Sequence, residues 1–364
     1  MTARYILFVD DKDAEYYSFE KALKEWNKNN PERTFEHERA VDVAAAFEQL
    51  RRHRFDAALF DLKMPSGEGG RGDGNDLVRA GIVDYGIPVG IISGHSEDVE
   101  ADLRQITMLR TFDKLEETAY SDAVAWLGSQ WEMMIILQQS RGVIRKSGAA
   151  IFANRVWRNW ENYERIRDAG ESGLIQAVAR QYAAHISEHL GSEAATGWHP
   201  FEHYIQPAIS EDRARTGDIF RIGDELWVLL TPACDLATKK ARVVLLAKCR
   251  KPTTEKDDPL ASWDVRVREL RDTGLNRAGR DERDAYFKGL VNQANPGKHF
   301  LPPLAGEGPL FVEFKEVVTL KANELDLESR VGSIAPAFLS NLVQRFGAYI
   351  SRTGQPNIDI RHFG

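Results

Sequence analysis

The string ILFVDDK, Ile6 to Lys12, constrains this chain more than any other feature: an apolar strand that ends in two adjacent carboxylates, Asp10 and Asp11. Three more apolar strands follow in order, and each runs out at a polar residue: AALFDLKMP at Asp61, PVGIISGHS at Ser93 and LRTFDKL at Lys114. Open parallel sheets present their ligand sites just beyond the carboxyl ends of the strands. The pattern therefore predicts an α/β domain with these polar groups gathered at one edge. An Asp after a strand is more often a helix cap or a turn residue, so it is the ordered set that carries the inference.

Together these residues resemble the phosphoacceptor receiver domain of two-component response regulators, over roughly the first third of the chain. The resemblance implies a flavodoxin-like, doubly wound parallel sheet in which Asp61 is the nucleophile. It would take a phosphoryl group from a cognate histidine kinase or a small phosphodonor. The resemblance also implies Mg²⁺, a small octahedral ion suited to carboxylate oxygens and water, held by Asp10, Asp11 and Asp61 and offsetting charge on the transferring oxygens. Lys114 would pair with one phosphoryl oxygen and Ser93 would donate to another. The added group carries close to two negative charges, so the Ser93 loop would be drawn inward. Three departures stand out. Leu115 follows Lys114, where the family usually has a Pro; Thr111 occupies the place of the switching aromatic, with Phe112 one position late; and the loop MPSGEGGRGDGNDLVR is long. Its Gly67, Gly69, Gly70, Gly72 and Gly74 read as a flexible insertion rather than a phosphate cradle, because no P-loop Lys and Ser/Thr follow.

At 364 residues, with 43% hydrophobic content, the length predicts two or three domains. No apolar run approaches the ~20 residues needed to span a bilayer, and MTARYILFVDD leads straight into the first strand without a signal peptide. The expectation is a cytoplasmic protein with no membrane partner. Two cysteines, Cys234 and Cys249, are too few for a four-thiolate zinc site. The net charge of −7 gives no global nucleic-acid footprint.

Beyond the receiver-like part the spacing turns helical. Val124, Leu127, Trp131, Met134 and Leu137 recur every three or four residues, as do Phe152, Val156, Trp157, Trp160, Tyr163 and Ile166. A further helix is predicted between Gly173 and Leu190, closed by Gly191. The stripe of Trp131, Trp157 and Trp160 reads as packed core first and as a homodimer surface second. His185 and His189 stand four apart, and His199 and His203 repeat the interval, a spacing that zinc uses. No HExxH motif accompanies them.

From Phe201 the chain becomes β-rich. GDIFRIGDELWVLLTPACDLAT reads as two strands joined at Gly223-Asp224, KARVVLLAKC as another, GPLFVEFKEVVTL as a pair, and APAFLSNLVQRFGAYISR as a helix with Phe338, Leu342, Phe346 and Ile350 on one face. This order is similar to the PemK/MazF-type toxin family, a small SH3-like β-barrel with a C-terminal helix, through GDI at Gly217, LWVLLTP and ESRVGSIAPAFLSNLVQRF. Residues Lys251 to roughly Lys298 have no counterpart there. Thr231 matches a family Ser or Thr near the cleavage site, whereas the family's critical arginine has no equivalent in the contracted loop IGDEL. Thr231, Cys234 and Asp235, with Lys239, Lys240 and Arg242, are the candidate output site, and their charge suits RNA phosphates. Cys234 and Asp235 also read as a buried thiol and a turn residue. The predicted organisation is a receiver at 1–124, a helical connector at 125–200 and an SH3-like β-barrel output domain with an insertion at 201–364. The predicted function is phosphorylation-controlled signalling through binding or oligomerisation, with a regulated endoribonuclease as the alternative.

Overall fold

In a computed structural model the chain divides into two compact units, residues 1–193 and 194–364. The structure describes residues 3–65, 71–106, 108–165, 171–192, 197–209, 212–253, 255, 258–304 and 306–352.

The first unit is built from strands β1 (Arg4–Val9), β2 (Phe35–Ala40), β3 (Ala57–Phe60), β4 (Lys63–Pro65), β5 (Arg71–Asp73), β6 (Val89–Ser93) and β7 (Arg110–Asp113). Its first helices are α1 (Asp13–Asn29), α2 (Val43–Arg52), α3 (Gly74–Val83), α4 (Ala101–Arg104) and α5 (Ala119–Ser129). Five strands form a parallel sheet in the order β2-β1-β3-β6-β7, the flavodoxin-like doubly wound arrangement. The apolar runs of β1, β3 and β6 show no alternation because both faces of the sheet are covered. The strand period of two sorts their side chains. Leu7, Val9, Ala58, Phe60 and Ile91 bury one way with Ala46 and Leu50 of α2 and Leu77 and Val78 of α3. Ile6, Phe8, Ala57, Leu59 and Ile92 bury the other way with Phe19 and Leu23 of α1 and Val124 and Leu127 of α5. Each of the larger of these side chains, the valines, leucines, isoleucines and phenylalanines, contributes about 1.5–3 kcal/mol of hydrophobic stabilisation. Gly128 lets α5 meet α1, since a Cβ there would stand 2.2 Å from the Trp26 ring.

Helix α6 (Trp131–Ile151) starts after a break at Gln130 rather than continuing α5. Trp131 and Met134 belong to the core of the first unit, the Trp131 ring meeting Phe35 edge-on at 5.2 Å. The rest of the predicted stripe differs. A π-helical turn at Phe152–Val156 and a 3-10 turn at Trp157–Asn159 lead into α7 (Trp160–Glu164), and Trp157 and Trp160 are exposed. Ile166 lies outside the described residues. Helix α8 (Glu171–Ser192) packs along α6 and runs past Gly191, which sits in its last turn rather than closing it.

The second unit has strands β8 (Tyr204–Ile205), β9 (Asp218–Ile222), β10 (Glu225–Leu229), β11 (Val243–Arg250), β12 (Lys298–Leu301), β13 (Leu310–Lys321) and β14 (Arg330–Ile334). Its helices are α9 (Ala233–Ala237), α10 (Trp263–Glu269), α11 (Arg277–Val291) and α12 (Pro336–Ile350). The strands pair antiparallel in the order β12-β13-β11-β10-β9-β14-β8. The expected barrel thus takes the form of a seven-stranded antiparallel sheet with a terminal helix. Its pairing among the described strands leaves β12 and β8 as ends. Strands β9 and β10 make the predicted hairpin, with Ile222 opposite Glu225 and Gly223 at φ +60° supplying the left-handed turn residue.

GPLFVEFKEVVTL is a single bent strand, β13, rather than a pair. After the leading Gly308-Pro309 the strand contains no turn residue, and its register against β11 slips between Ala247 and Lys248, so it bends without reversing. Its neighbour β12 comes from the end of the expected insertion. That insertion is ordered: α10 and α11 pack on β12 and β13 through Leu260, Leu290, Phe300 and Phe311, with Trp263 and Tyr286 against them. Leu342 and Phe346 of α12 are buried, while Ile350 is exposed.

Candidate functional site

The parallel topology delivers Asp10, Asp61, Ser93 and Lys114 to the carboxyl ends of β1, β3, β6 and β7. Backbone bonds that continue the sheet fix each position: the amide of Asp10 donates to Ala40 O at 3.1 Å, that of Asp61 to Val9 O at 2.9 Å, and that of Lys114 to Ser93 O at 3.3 Å. The Lys114 Nζ stands 2.5 Å from Asp10 Oδ2 and 2.8 Å from Asp61 Oδ2, and all three side chains are buried. Asp10 Oδ1 also accepts the amide of Lys12 at 2.9 Å. Asp11 is exposed at the rim, and one oxygen from each of Asp10, Asp11 and Asp61 lies within 4.8 Å of the others. Ser93 is buried, its Oγ accepting the amide of His95 at 3.2 Å.

The electrostatics of this cluster are uneven. Burial works against the charge on Lys114, but the hydrogen bonds it donates to Asp10 and Asp61 outweigh that cost and hold the ammonium above its ordinary value. Burial pushes the Asp10 carboxyl up, against the pull of Lys114. One ammonium faces two buried carboxylates and a third at the rim, so net negative charge remains. A donor set of clustered carboxylate oxygens fits a hard divalent cation such as Mg²⁺, and it is the only such group of three or more among the described residues.

The loop after Asp61 is more structured than the sequence suggested. Strands β4 and β5 pair Lys63 with Asp73 and Pro65 with Arg71, closing a small hairpin beside the site. Gly67, Gly69 and Gly70 lie outside the described residues, Gly72 belongs to β5, and Gly74 opens α3 where a Cβ would stand 2.5 Å from Leu62 Cα. The next strand's loop is tied to this one. Asn75 donates to Asp98 O at 3.2 Å and accepts the Glu100 amide at 3.1 Å, and Lys63 pairs with Asp98 at 2.7 Å. Thr111 is exposed, whereas Phe112 is half-buried beside Trp126 at 6.0 Å. Leu115 is exposed.

The second unit places its candidate residues differently. Thr231 is buried, its Oγ1 accepting the Leu245 amide at 2.7 Å while its carbonyl accepts the Thr216 hydroxyl at 2.5 Å. These bonds tie the end of β10 to β11 and to the segment leading into β9. Cys234 is exposed on the short helix α9, its Sγ 3.6 Å from Asp235 Oδ1, while the other cysteine, Cys249, is buried. The backbone carbonyl of Asp235 accepts the amides of Lys240 and Ala241. Lys239, at φ +54°, Lys240 and Arg242 are exposed on the following loop. His185 and His189 lie in α8 of the first unit; His199 and His203 lie in the second.

Sequence reasoning passed over one feature of the GDI motif. Gly217 adopts φ +90°, and Asp218 is fully buried, pairing with Arg330 at 2.9 Å and accepting the Arg215 amide at 2.7 Å and the Ser333 hydroxyl. The motif thus locks β9 to β14.

No protein-family model and no curated protein matches the sequence. Among solved structures the chain is similar to the chemotaxis response regulator CheY4 of Vibrio cholerae, at 18% identity over 34% of this chain and 98% of that one, with a TM-score of 0.28. It is similar to the receiver domain of RcsB from Salmonella enterica, solved with a beryllofluoride phosphomimetic, at 16% identity over 34% and 87%, with a TM-score of 0.29. It is also similar to the receiver domain of a sensor histidine kinase from Pseudomonas aeruginosa, solved with magnesium in its active-site cleft, at 18% identity over 36% and 98%, with a TM-score of 0.26. No described helix is long and apolar enough to cross a membrane.

Proposed function

We propose that the first unit is a phosphoacceptor switch and that the chain is a response-regulator-like signalling protein. The observation that carries this reading is the Lys114 ammonium bridging Asp10 and Asp61 at 2.5 and 2.8 Å, with Asp11 alongside. A carboxylate oxygen of Asp61 attacks the phosphorus of a histidine-kinase phosphoimidazole or a small acyl phosphate. The bond from phosphorus to the donor breaks, and the donor leaves with the electron pair. Asp10, Asp11 and Asp61 would hold Mg²⁺, which supplies positive charge against the transferring phosphoryl oxygens. Lys114 exchanges its contact with the Asp61 carboxylate for one with a phosphoryl oxygen. The Ser93 hydroxyl donates to another, pulling on the loop that Asn75 and Lys63 fasten to the β4–β5 hairpin. With Thr111 exposed and Phe112 packed toward Trp126, the readout runs through this hairpin and loop rather than through a swinging aromatic.

The antiparallel unit is the output module in this reading, and it works by binding or oligomerisation. Exposed Lys239, Lys240 and Arg242 form its contact for a partner, with RNA phosphates the chemistry they fit. Thr231 serves the sheet rather than a cleavage site, because its hydroxyl is already engaged by Leu245. Incubating the full chain with Mg²⁺ and acetyl phosphate tests the switch. Asp61 should become phosphorylated, Asp61→Asn should remove all labelling, and Asp11→Asn should mainly raise the Mg²⁺ concentration needed. Labelling that persists in Asp61→Asn sinks the assignment.

A further inference from the structure

The second unit contains a cavity of about 480 Å³ that neither the phosphoacceptor site nor the output loop accounts for. Small-molecule pockets commonly span about 300–1,000 Å³ and combine apolar walls with a few convergent polar groups. Two histidines line this one deep inside. His299 on β12 is 1% exposed and neither ring nitrogen has a hydrogen-bond partner among the described residues; His203 is 8% exposed and its Nε2 is likewise unpaired. Those nitrogens are closed off from the open space of the cavity, so the two rings serve as its inner wall.

The remaining wall says what kind of ligand the cavity fits. Arg345 on α12 lines the cavity, donating through Nη2 to the carbonyls of Asn295 at 2.6 Å and Lys298 at 3.0 Å. Its Nε is buried and unpaired, and no carboxylate among the described residues forms an ion pair with the guanidinium. A cation without a counter-charge at a cavity wall recruits an anion, and the planar guanidinium suits carboxylate or phosphate oxygens. Aromatic faces adjoin it. The rings of Trp198 and Phe338 meet at 5.5 Å, and Phe338 lies 4.3 Å from His203. Trp198 is half exposed, so its ring stays accessible. Burial holds both histidines neutral, so the wall carries no second cation beside Arg345.

We propose that this cavity binds a small anion carried on a planar ring, with the ring against Trp198 and Phe338 and the anionic group on Arg345. An aromatic carboxylate and a nucleoside monophosphate share that chemistry. The test is a calorimetric and tryptophan-fluorescence titration of the full chain with indole-3-carboxylate and with adenosine monophosphate. Indole, adenosine and inorganic phosphate serve as the separated halves. One of the two intact probes should saturate, its halves should bind at least tenfold more weakly, and the successful probe identifies the source. Trp198→Ala, at an exposed position where folding is not at stake, and Arg345→Gln, checked against Arg345→Lys, should each weaken the successful probe tenfold or more. Failure of both intact probes to saturate at about 1 mM, or affinity unchanged in either Trp198→Ala or Arg345→Gln, overturns the proposal.

Discussion

Each unit buries a cluster of charged side chains, and the two clusters are built to opposite specifications. In the first unit, Asp10, Asp61 and the rim residue Asp11 face the single ammonium of Lys114. In the second, Asp258 accepts hydrogen bonds from Arg250 at 2.7 and 3.2 Å, from the Thr253 amide and hydroxyl at 2.6 and 2.9 Å, and from the Leu260 amide at 3.0 Å. Arg250 and Lys298 each reach Glu313 at 2.8 Å, so two cations meet two carboxylates. These bonds outweigh the burial that would raise the Asp258 carboxyl and hold it well below the ordinary range. Both clusters are far from the solvent-exposed pairs that contribute little. The balanced cluster is a strut that seats α10 and α11 on the sheet, while the unbalanced one keeps net negative charge that, under the function proposed above, a cation and a phosphoryl group would use. On that proposal, local charge balance more than burial separates the structural cluster from the functional one.

The comparison breaks most visibly at Asp258. Asp258→Ala leaves Arg250 without its main partner in a mostly buried setting and should cost about 3 kcal/mol, the lower end expected when one member of a buried pair is removed. Thermal denaturation followed by circular dichroism reads this as an earlier transition of the second unit. A midpoint within error of the parent would show that the packing of Leu260 and Trp263, not the charge network, holds the insertion in place.

The opposite response is expected in the first unit. Asp10→Asn removes a buried charge that Lys114 offsets only in part, leaving Lys114 paired with Asp61. Without metal this variant should gain about 1 kcal/mol, in keeping with functional sites that sacrifice stability. Mg²⁺ should reverse the ranking. At a hundred times its dissociation constant a bound cation stabilises the folded state by about 2.7 kcal/mol, a gain the parent should show and Asp10→Asn should largely lose. Equal Mg²⁺ shifts in the two proteins would contradict the unbalanced-site account.

Much of the first unit was legible because its signals are local. Apolar runs without alternation mark doubly covered strands, and the polar residues ending them lie where the parallel topology must gather them. Trp131 was readable both as helical and as core, and it packs on Phe35; the exposure of Trp157 and Trp160 was not, since the same spacing serves a buried and an open face and only distant contacts decide between them. In the second unit the hairpin at Gly223 was plain from the turn residue. The single strand β13 was not, because whether an extended run bends or reverses depends on its partner's register, here the slip at Ala247 and Lys248. Thr231 looked chemical in sequence, yet its hydroxyl is used by the Leu245 amide across the sheet. His299 and Arg345 gave no signal because a cavity between β12 and α12 is a product of packing rather than of spacing.

The smallest expected effect concerns pH and tests whether His203 and His299 belong to a neutral, buried setting rather than to either charged cluster. Burial lowers His203 to about 4, and burial together with the nearby His203 and Arg345 lowers His299 to about 3. Both folded values lie below the ordinary histidine value of ~6.5. As pH falls through that value the unfolded chain takes up protons that the folded chain refuses, so stability rises with pH across this window. The contribution is complete above pH ~6.5 and drains away as pH falls toward about 4 for His203 and about 3 for His299. Between pH 7 and pH 6 the two residues together should cost the second unit about 1 kcal/mol. The first unit holds one histidine lowered by burial, His37, so the reference for the pair is the same chain carrying His299→Asn. His299→Asn should flatten the slope of the second transition while leaving the first unchanged. If the parent's second transition is flat from pH 7.5 to 5, the histidines are protonated or exchange freely with solvent, and the neutral-cavity description fails.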